Sequence, residues 1–235
     1  MKYGNTNIGG MSFGSTRIGG AKYGTTLVYQ AGSPTPPAPT PVFYDHLVFD
    51  GTAYIETTYV LPSGCSLKCE KLGGETVKAT QGLIMAQGSN GGFIAILYGG
   101  ATTTTTRTLS SFYDSSSIVK STTLAFSTTN FTAFLTSRNF GINNTVKSFS
   151  KGSKHPDGGV SFGRSSSQPY SGVMGTVYVY GSDTQYVTTY DGFSSYTPVA
   201  TFRPCTYNGE AGFWYVEGNT FFGNTAGSGS ILAEN

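Results

Sequence analysis

The sequence predicts an all-β protein: an antiparallel jelly-roll β-sandwich preceded by a short β-repeat module and a proline-rich linker. Three observations carry that prediction. Short apolar runs dominated by Thr, Val, Ile, Tyr and Phe are separated by 33 glycines and abundant Ser, with few helix formers. That composition suits pleated, half-buried strands joined by turns. A ten-residue repeat fills residues 1–30, and a proline tract follows it over Ala31–Val42.

The repeats are MKYGNTNIGG, MSFGSTRIGG and AKYGTTLVYQ. Tyr3, Phe13 and Tyr23 hold equivalent places, each followed by glycine, then Thr6, Thr16 or Thr26, then Ile8, Ile18 or Val28. Glycine after an aromatic marks a turn, so each unit predicts a short strand, a Gly-x-Thr turn, a second short strand and a bend. Thirty residues bury too little surface to stand alone, and such units gain a core by stacking on neighbours. Residues 1–30 are therefore expected to be an anchor or oligomerisation module, its contact set being Tyr3, Ile8, Phe13, Ile18, Tyr23 and Val28. A merely flexible glycine-rich tail is the alternative. The segment carries Lys2, Arg17 and Lys22 and no acid, which is a weak match for an acidic docking surface.

The tract AGSPTPPAPTPV (31–42) holds half of the 10 prolines. Proline fixes φ and removes a donor, so the tract favours extended polyproline II at about 3.1 Å per residue. It acts as a semi-rigid spacer between an anchor and a domain spanning 43–235.

Within that domain, LVFDGTAYIETTYVLP alternates, turns at Asp50-Gly51 and continues to Val60. GLIMA (82–86) and GFIAILYGG (92–100) predict a hairpin, the second strand covered on both faces. FTAFLTSRNF (131–140) and GVSFG (159–163) predict strands. GVMGTVYVYGSD (172–183) predicts one long strand, with Val173, Val177 and Val179 on one face and Met174, Tyr178 and Tyr180 on the other. Residues 101–111 and 147–157 are expected to be long loops or edge strands. FRPC and GFWYVEGNTFFGN close the sandwich, and GSGS near the end is expected to be tail.

Composition also narrows the function. A net charge of +2 with scattered Lys and Arg argues against nucleic acid. No apolar run approaches the ~20 residues of a membrane helix, and MKYGNTNIGG lacks the apolar core of a secretory signal. Three cysteines, Cys65, Cys69 and Cys205, show no zinc-like pair and are expected as thiols from a reducing cytosol, one disulfide being the alternative.

The domain resembles the concanavalin A-like lectin/glucanase superfamily, in its LamG-like branch. FDGTAYIETTYVLPSG (49–64) is similar to that family's opening strand, VSFGRSSSQPYSGVMGTVYVYGSD (160–183) to its penultimate strands, and FRPCTYNGEAGFWYVEGNTFFGNTAGSG (202–229) to its closing phrase. Tyr215 stands where many relatives place an Asp, so that residue's role does not carry over. The aromatic-Gly-Ser/Thr repeats resemble N-terminal segments of phage structural proteins. Together these resemblances imply a phage virion protein: a head fibre or capsid decoration protein, or a tail-fibre receptor-binding component. They place it on the virion surface after synthesis in the bacterial cytoplasm. The implied partners are other capsid or tail proteins reached through residues 1–30, further copies of the chain (a trimer before a dimer), and a glycan; nucleic acid and membrane are not among them. A purely structural protein without sugar binding, and a secreted carbohydrate-active protein, are the rivals.

Glycoside hydrolysis in this superfamily needs two carboxylates, commonly Glu-x-Asp-x-x-Glu on one strand. Glu56, Glu210 and Glu217 each stand alone, so no enzyme is expected. His46 is expected to flank the first strand and His155 to sit solvated in GSKHPDGG; no nucleophile elbow accompanies them. No cofactor is expected, calcium staying open with Asp114, Asn143, Asn144 and Asp157 as ligands by type alone. Sugar recognition uses aromatic faces with amide and hydroxyl partners. Tyr98, Tyr113, Tyr170, Tyr178, Tyr180, Tyr190 and Tyr196 are available, and Trp214 in GFWYV is expected in the core. Tyr170 with Arg164 and Gln168, together with Tyr98, forms the candidate carbohydrate site; an ordinary exposed loop is the bland alternative.

Overall fold

Each ten-residue repeat folds back on itself. The structure, a computed structural model, describes residues 2–3, 6–7, 12–13, 16–17, 20–23, 26–30, 39–73, 81–100, 106–114, 120–125, 131–143, 145–148, 150–164 and 169–235. These fall into two compact units, Met1–Pro39 and Thr40–Asn235. In the first, β1 (Lys2–Tyr3) pairs with β2 (Thr6–Asn7), β3 (Ser12–Phe13) with β4 (Thr16–Arg17), and β5 (Gly20–Tyr23) with β6 (Thr26–Gln30). Tyr3 lies opposite Thr6, Phe13 opposite Thr16 and Tyr23 opposite Thr26, so the conserved spacing within the repeat is the closing pair of a hairpin. In the third hairpin Val28 is the extra residue of a bulge. Ile8, Ile18 and residues 31–38 of the spacer lie outside the described residues.

The second unit opens with β7 (Val42–Phe43), β8 (His46–Asp50), β9 (Ile55–Val60) and β10 (Ser66–Leu72). An antiparallel run follows: β11 (Gln81–Gln87), β12 (Phe93–Gly100), β13 (Thr106–Phe112) and β14 (Lys120–Ala125). Next come β15 (Phe131–Leu135), β16 (Asn139–Ile142), β17 (Thr145–Ser148), β18 (Gly159–Phe162), β19 (Ser171–Met174) and β20 (Val177–Tyr180). After two short 3₁₀ turns, β21 (Ala200–Tyr207), β22 (Glu210–Tyr215), β23 (Thr220–Gly223) and β24 (Ile231–Glu234) close the unit.

These strands build an antiparallel β-sandwich. One layer has six strands, β14-β13-β12-β11-β18-β9. The other runs β17-β16-β15-β10-β20-β21-β22-β23, with β7 also paired to β21, and β19-β8-β24 forms a small third sheet. The layers meet through a continuous apolar core. Phe162 of the first packs on Phe202 and Phe213 of the second at 5.1 and 4.7 Å between ring centroids, and Tyr59 meets Phe202 at 5.4 Å. Tyr215 faces this core too, 5.3 Å from Phe202, so it is a packing residue.

Four expectations need correcting. The predicted long strand 172–183 breaks at Gly175-Thr176: β19 joins the small sheet and β20 the large one, and Met174 is buried in the core rather than sharing a face with Tyr178 and Tyr180. The break is fixed because the Gly175 N–H donates to the Glu70 carbonyl at 2.8 Å and the Glu70 N–H to that of Thr176 at 3.0 Å. Part of 101–111, expected to be a long loop or an edge strand, is β13, an inner strand. FTAFLTSRNF is a hairpin, not one strand, because the Thr136 hydroxyl accepts the Arg138 and Asn139 N–H groups and turns the chain. The supposed tail is integral: Ser230 donates from its N–H to Asp50 at 2.6 Å and β24 pairs with β8.

Candidate functional site

The outer face of the six-stranded sheet carries a row that crosses four strands: Glu56 on β9, Ser161 on β18, Met85 on β11 and Ala95 on β12. Strand alternation makes this possible, since Ile84 and Ala86 point into the core while Met85 points away. Met85 and Ala95 pack with Phe93 and Leu97 into a thin apolar floor. At the Met85 edge of this floor opens a cleft of about 670 Å³, lined by Met85 with Glu56, Thr57, Gln87, Ser89, Ser161 and Arg164 among others.

One wall is an ion pair. Gly163 ends β18 at φ +74, and a Cβ there would sit 2.8 Å from the Phe49 ring, so glycine permits the turn that presents Arg164 beside β9. The Arg164 guanidinium pairs with Glu56 and lies 5.2 Å from the centroid of the Tyr54 ring. The opposite wall is the 88–92 turn, braced from behind by residues 154–158. Ser89 donates its hydroxyl to Asp157 at 3.0 Å, and Asn90 donates from Nδ2 to the His155 carbonyl at 2.8 Å. The Ser89 hydrogen bond holds the Asp157 carboxyl below its ordinary range. Side chains at Gly88 or Gly158 would collide with this packing, which explains glycine at both.

The predicted carbohydrate residues separate. Arg164 stands at the cleft. Tyr170 does not: it is 1% exposed, its ring packs 6.0 Å from Phe49, and its hydroxyl accepts from the Gly73 N–H at 3.3 Å while lying 2.9 Å from the Val173 carbonyl. It is a structural tyrosine that ties β19 to the end of β10, with no ring face for a sugar. Gln168 and the Tyr98 side chain lie outside the described residues. Glu56, Gln87 and Ser89 were not predicted as a group; alternation within β9 and β11 marks their faces, but pairing across β18 is needed to bring them together.

The aromatic residues of the other sheet distribute differently. Trp214, expected in the core, is half-buried on the outer face of β22, opposite Arg203 and Phe221. Phe213, its neighbour, takes the core position. Tyr207 lies 5.3 Å from Trp214 and 5.4 Å from Phe221, whose ring covers Gly212 and Gly223. Farther along, Phe193 and Val187 from the 3₁₀ region close over Phe134 and Tyr180. Tyr190 and Tyr178 hold the Lys68 ammonium at 4.3 and 5.3 Å. Tyr113 is buried and donates its hydroxyl to the Cys65 carbonyl at 2.6 Å.

Ionisable groups follow the same pattern of local use. Glu217 accepts from the Thr201 N–H at 2.7 Å, and no cluster of three His, Cys, Asp or Glu groups occurs among the described residues. Of the calcium candidates, Asn143 accepts the Thr132 N–H at 3.0 Å, Asn144 lies outside the described residues, and Asp114 is buried against His155. His155 is therefore not the solvated turn residue expected; both ring nitrogens are bonded. His46 opens β8 and faces Glu234 at 3.8 Å. All three cysteines are free and buried, and burial pushes the thiols of Cys205 and Cys65 up to about 11 and about 12.

No protein-family model matches the sequence, and no curated protein matches it. Among solved structures, a Bacteroides ovatus protein described as a "putative carbohydrate binding protein" aligns over 90% of this chain at 13% identity with a TM-score of 0.49. The chain spans 64% of that protein's length.

Proposed function

We propose that the Thr40–Asn235 unit is a non-enzymatic glycan-binding module that seats a sugar in the cleft between the Glu56–Arg164 pair and the 88–92 turn. The observation that carries this reading is convergence: an acceptor carboxylate, a donor guanidinium, an amide and hydroxyls reach one open cleft from paired strands, beside the apolar Met85. A sugar ring presents hydroxyls that both donate and accept beside weakly apolar C–H faces, which this lining complements. Among the described residues Glu56 is the sole carboxylate of that lining and is already paired with Arg164, which favours holding a glycan over hydrolysing it. The module needs no cofactor in this reading.

The wider setting we propose is a phage virion. One hairpin per decapeptide gives residues 1–30 a regular set of strands suited to docking on capsid or tail proteins. Display in many copies, in trimers or else dimers, would raise weak single-site sugar binding to useful avidity. A head fibre or decoration protein is the first assignment and a tail-fibre component the second.

A glycan array and calorimetry on the full chain test the site. Wild type and Trp214→Ala are expected to bind the same glycans, whereas Arg164→Ala and Glu56→Gln lose binding while keeping their thermal midpoint. Loss in Trp214→Ala with retention in Arg164→Ala would move the site to the Tyr207–Trp214–Phe221 cluster. No binding to any glycan would leave a purely structural sandwich.

A further inference from the structure

We propose that the cleft selects a sugar carrying a protonated amino group, a hexosamine whose nitrogen is not acylated, over its neutral, N-acetylated and acidic counterparts. The inference rests on the glycan-cleft reading and names the substrate class of that same site.

Protons are scarce in this cleft. A hydroxyl has one to give, and each described hydroxyl of the lining uses it inside the protein. Ser161 Oγ donates to the Met85 carbonyl at 3.0 Å, and Ser89 Oγ donates to the Asp157 carboxylate at 3.0 Å. Thr57 Oγ1 donates to the Val160 carbonyl at 2.8 Å and accepts the Tyr59 N–H at 3.2 Å. Ser161 and Ser89 therefore meet a ligand as acceptors, and the Glu56 carboxylate can only accept. The turn adds no donor of its own. Its Gly88 N–H donates to the Gly92 carbonyl and its Gly91 N–H to the Gly88 carbonyl, while the Ser89 and Asn90 N–H groups are directed at Asp157. Among the described residues of the lining, side-chain donors remain on Gln87, which also accepts, and on Arg164, which is engaged by Glu56.

Strand register sets these acceptors side by side. Ser161 lies opposite Met85 on one side and Glu56 on the other. Gln87 stands two residues beyond Met85 on β11 and shares its face. On β18, Gly159 stands two residues before Ser161, and a Cβ there would run into the Thr57 carbonyl, so that end of the cleft stays open.

An acceptor-rich cleft discriminates by what the ligand brings. An ammonium brings three N–H groups and no lone pair, so it satisfies acceptors without setting oxygen against oxygen. A hydroxyl in its place brings one proton. An acetamido group brings one N–H and adds a carbonyl that needs a donor, and a carboxylate brings lone pairs alone. Charge runs the same way. Glu56 and Arg164 cancel within the described lining, while the Asp157 carboxylate stands behind Ser89, so the turn side of the cleft favours a cation. The ammonium sits there, against Ser89 and Gln87, with ring hydroxyls toward Arg164. An acidic sugar would have to draw Arg164 away from Glu56.

Calorimetric titration of the full chain at about pH 6, between the ordinary carboxylate and α-amino ranges, tests the class. The sugars are glucose, glucosamine, N-acetylglucosamine and glucuronate, with the corresponding galactose series, so each member differs from its parent in one substituent. The amino sugar is expected to bind about tenfold tighter than its neutral parent, as one hydrogen bond to a charged group implies. The acetylated and acidic members should bind more weakly than the parent. Gln87→Lys, at an exposed position, sets a cation against the ammonium seat; it should erase the amine preference and favour the uronate while keeping the thermal midpoint. Neutral sugars binding as tightly as amino sugars, with Arg164→Ala still abolishing both, would overturn the class and leave the cleft reading standing. An amine preference that survives Gln87→Lys would put the ammonium elsewhere and overturn it too. N-acetyllysine amide binding as tightly as the amino sugars would put a cationic peptide in the cleft instead of a sugar. Titrations blank for every sugar would also overturn the class, whereas a blank glycan array sinks the cleft reading itself.

Discussion

The two outer faces of the sandwich solve the same problem in opposite ways. The larger sheet covers its outer surface: residues 182–196 fold back so that Phe193 packs 5.5 Å from Phe134 and 4.8 Å from Tyr180, and Phe221 lies flat across two glycines. Among the described residues the six-stranded sheet keeps an open cleft on its outer surface, lined by Glu56, Arg164, Gln87 and Ser89 beside Met85. A face closed by its own chain contributes stability, whereas a face left concave and polar is free for a ligand. Aromatic content alone therefore misleads: most of the tyrosines that suggested sugar stacking are spent on packing.

The sharpest way to break this comparison is to weaken the shared core first. Phe202→Ala, which removes the ring packed against Tyr59, Phe162 and Tyr215, should cost about 4 kcal/mol in denaturant unfolding and lower both faces together. Phe193→Ala should cost about 3 kcal/mol, and proteolysis should then cut within 182–196 before the six-stranded sheet opens. If that segment stays resistant, the cover is not what protects the larger sheet. Asp50→Ala should cost about 2 kcal/mol, because Asp50 collects the N–H groups of Thr52, Ala53 and Ser230. Those bonds outweigh burial and hold its carboxyl well below the usual range, so this contribution is present above the unfolded-state value and fades as pH falls through the folded one. Arg164→Ala should cost less than about 1 kcal/mol, because its pair with Glu56 is solvent-exposed, and its effect should appear in ligand binding instead. Smallest of all, a thiol reagent near neutral pH should leave Cys65, Cys69 and Cys205 unmodified until the chain unfolds, since burial raises all three thiols.

Local chemistry made much of the fold legible. The Asp50-Gly51 turn, the hairpin of β11 and β12, the closing strands and the one-hairpin repeats all carry their signals within a few residues. The elements misjudged are those whose outcome depends on a distant partner. Gly175 breaks a strand because Glu70 lies beside it, and β13 is internal only because β14 pairs on its far side; Thr136 is the local exception, turning a hairpin by accepting N–H groups two and three residues on. The site shows the same limit. Arg164 could be picked out by type and by its place beside a glycine, but Tyr170 reads as a loop residue and Trp214 as core, the reverse of their burial, since each follows a Pro or Gly-aromatic phrase that fits loop and strand equally.

The sequence by itself determined the class of the protein: strands from β-branched and aromatic runs, turns from glycine, and three hairpins from one repeated phrase. These are properties of single residues and near neighbours, fixed by sterics and local hydrogen bonding. Only the tertiary structure decided which tyrosine is buried, which histidine lies between two acceptors, and which face stays open. Those outcomes depend on contacts between residues tens of positions apart, and alternation along a strand says that a side chain has two faces to choose from but not which one its neighbours will cover.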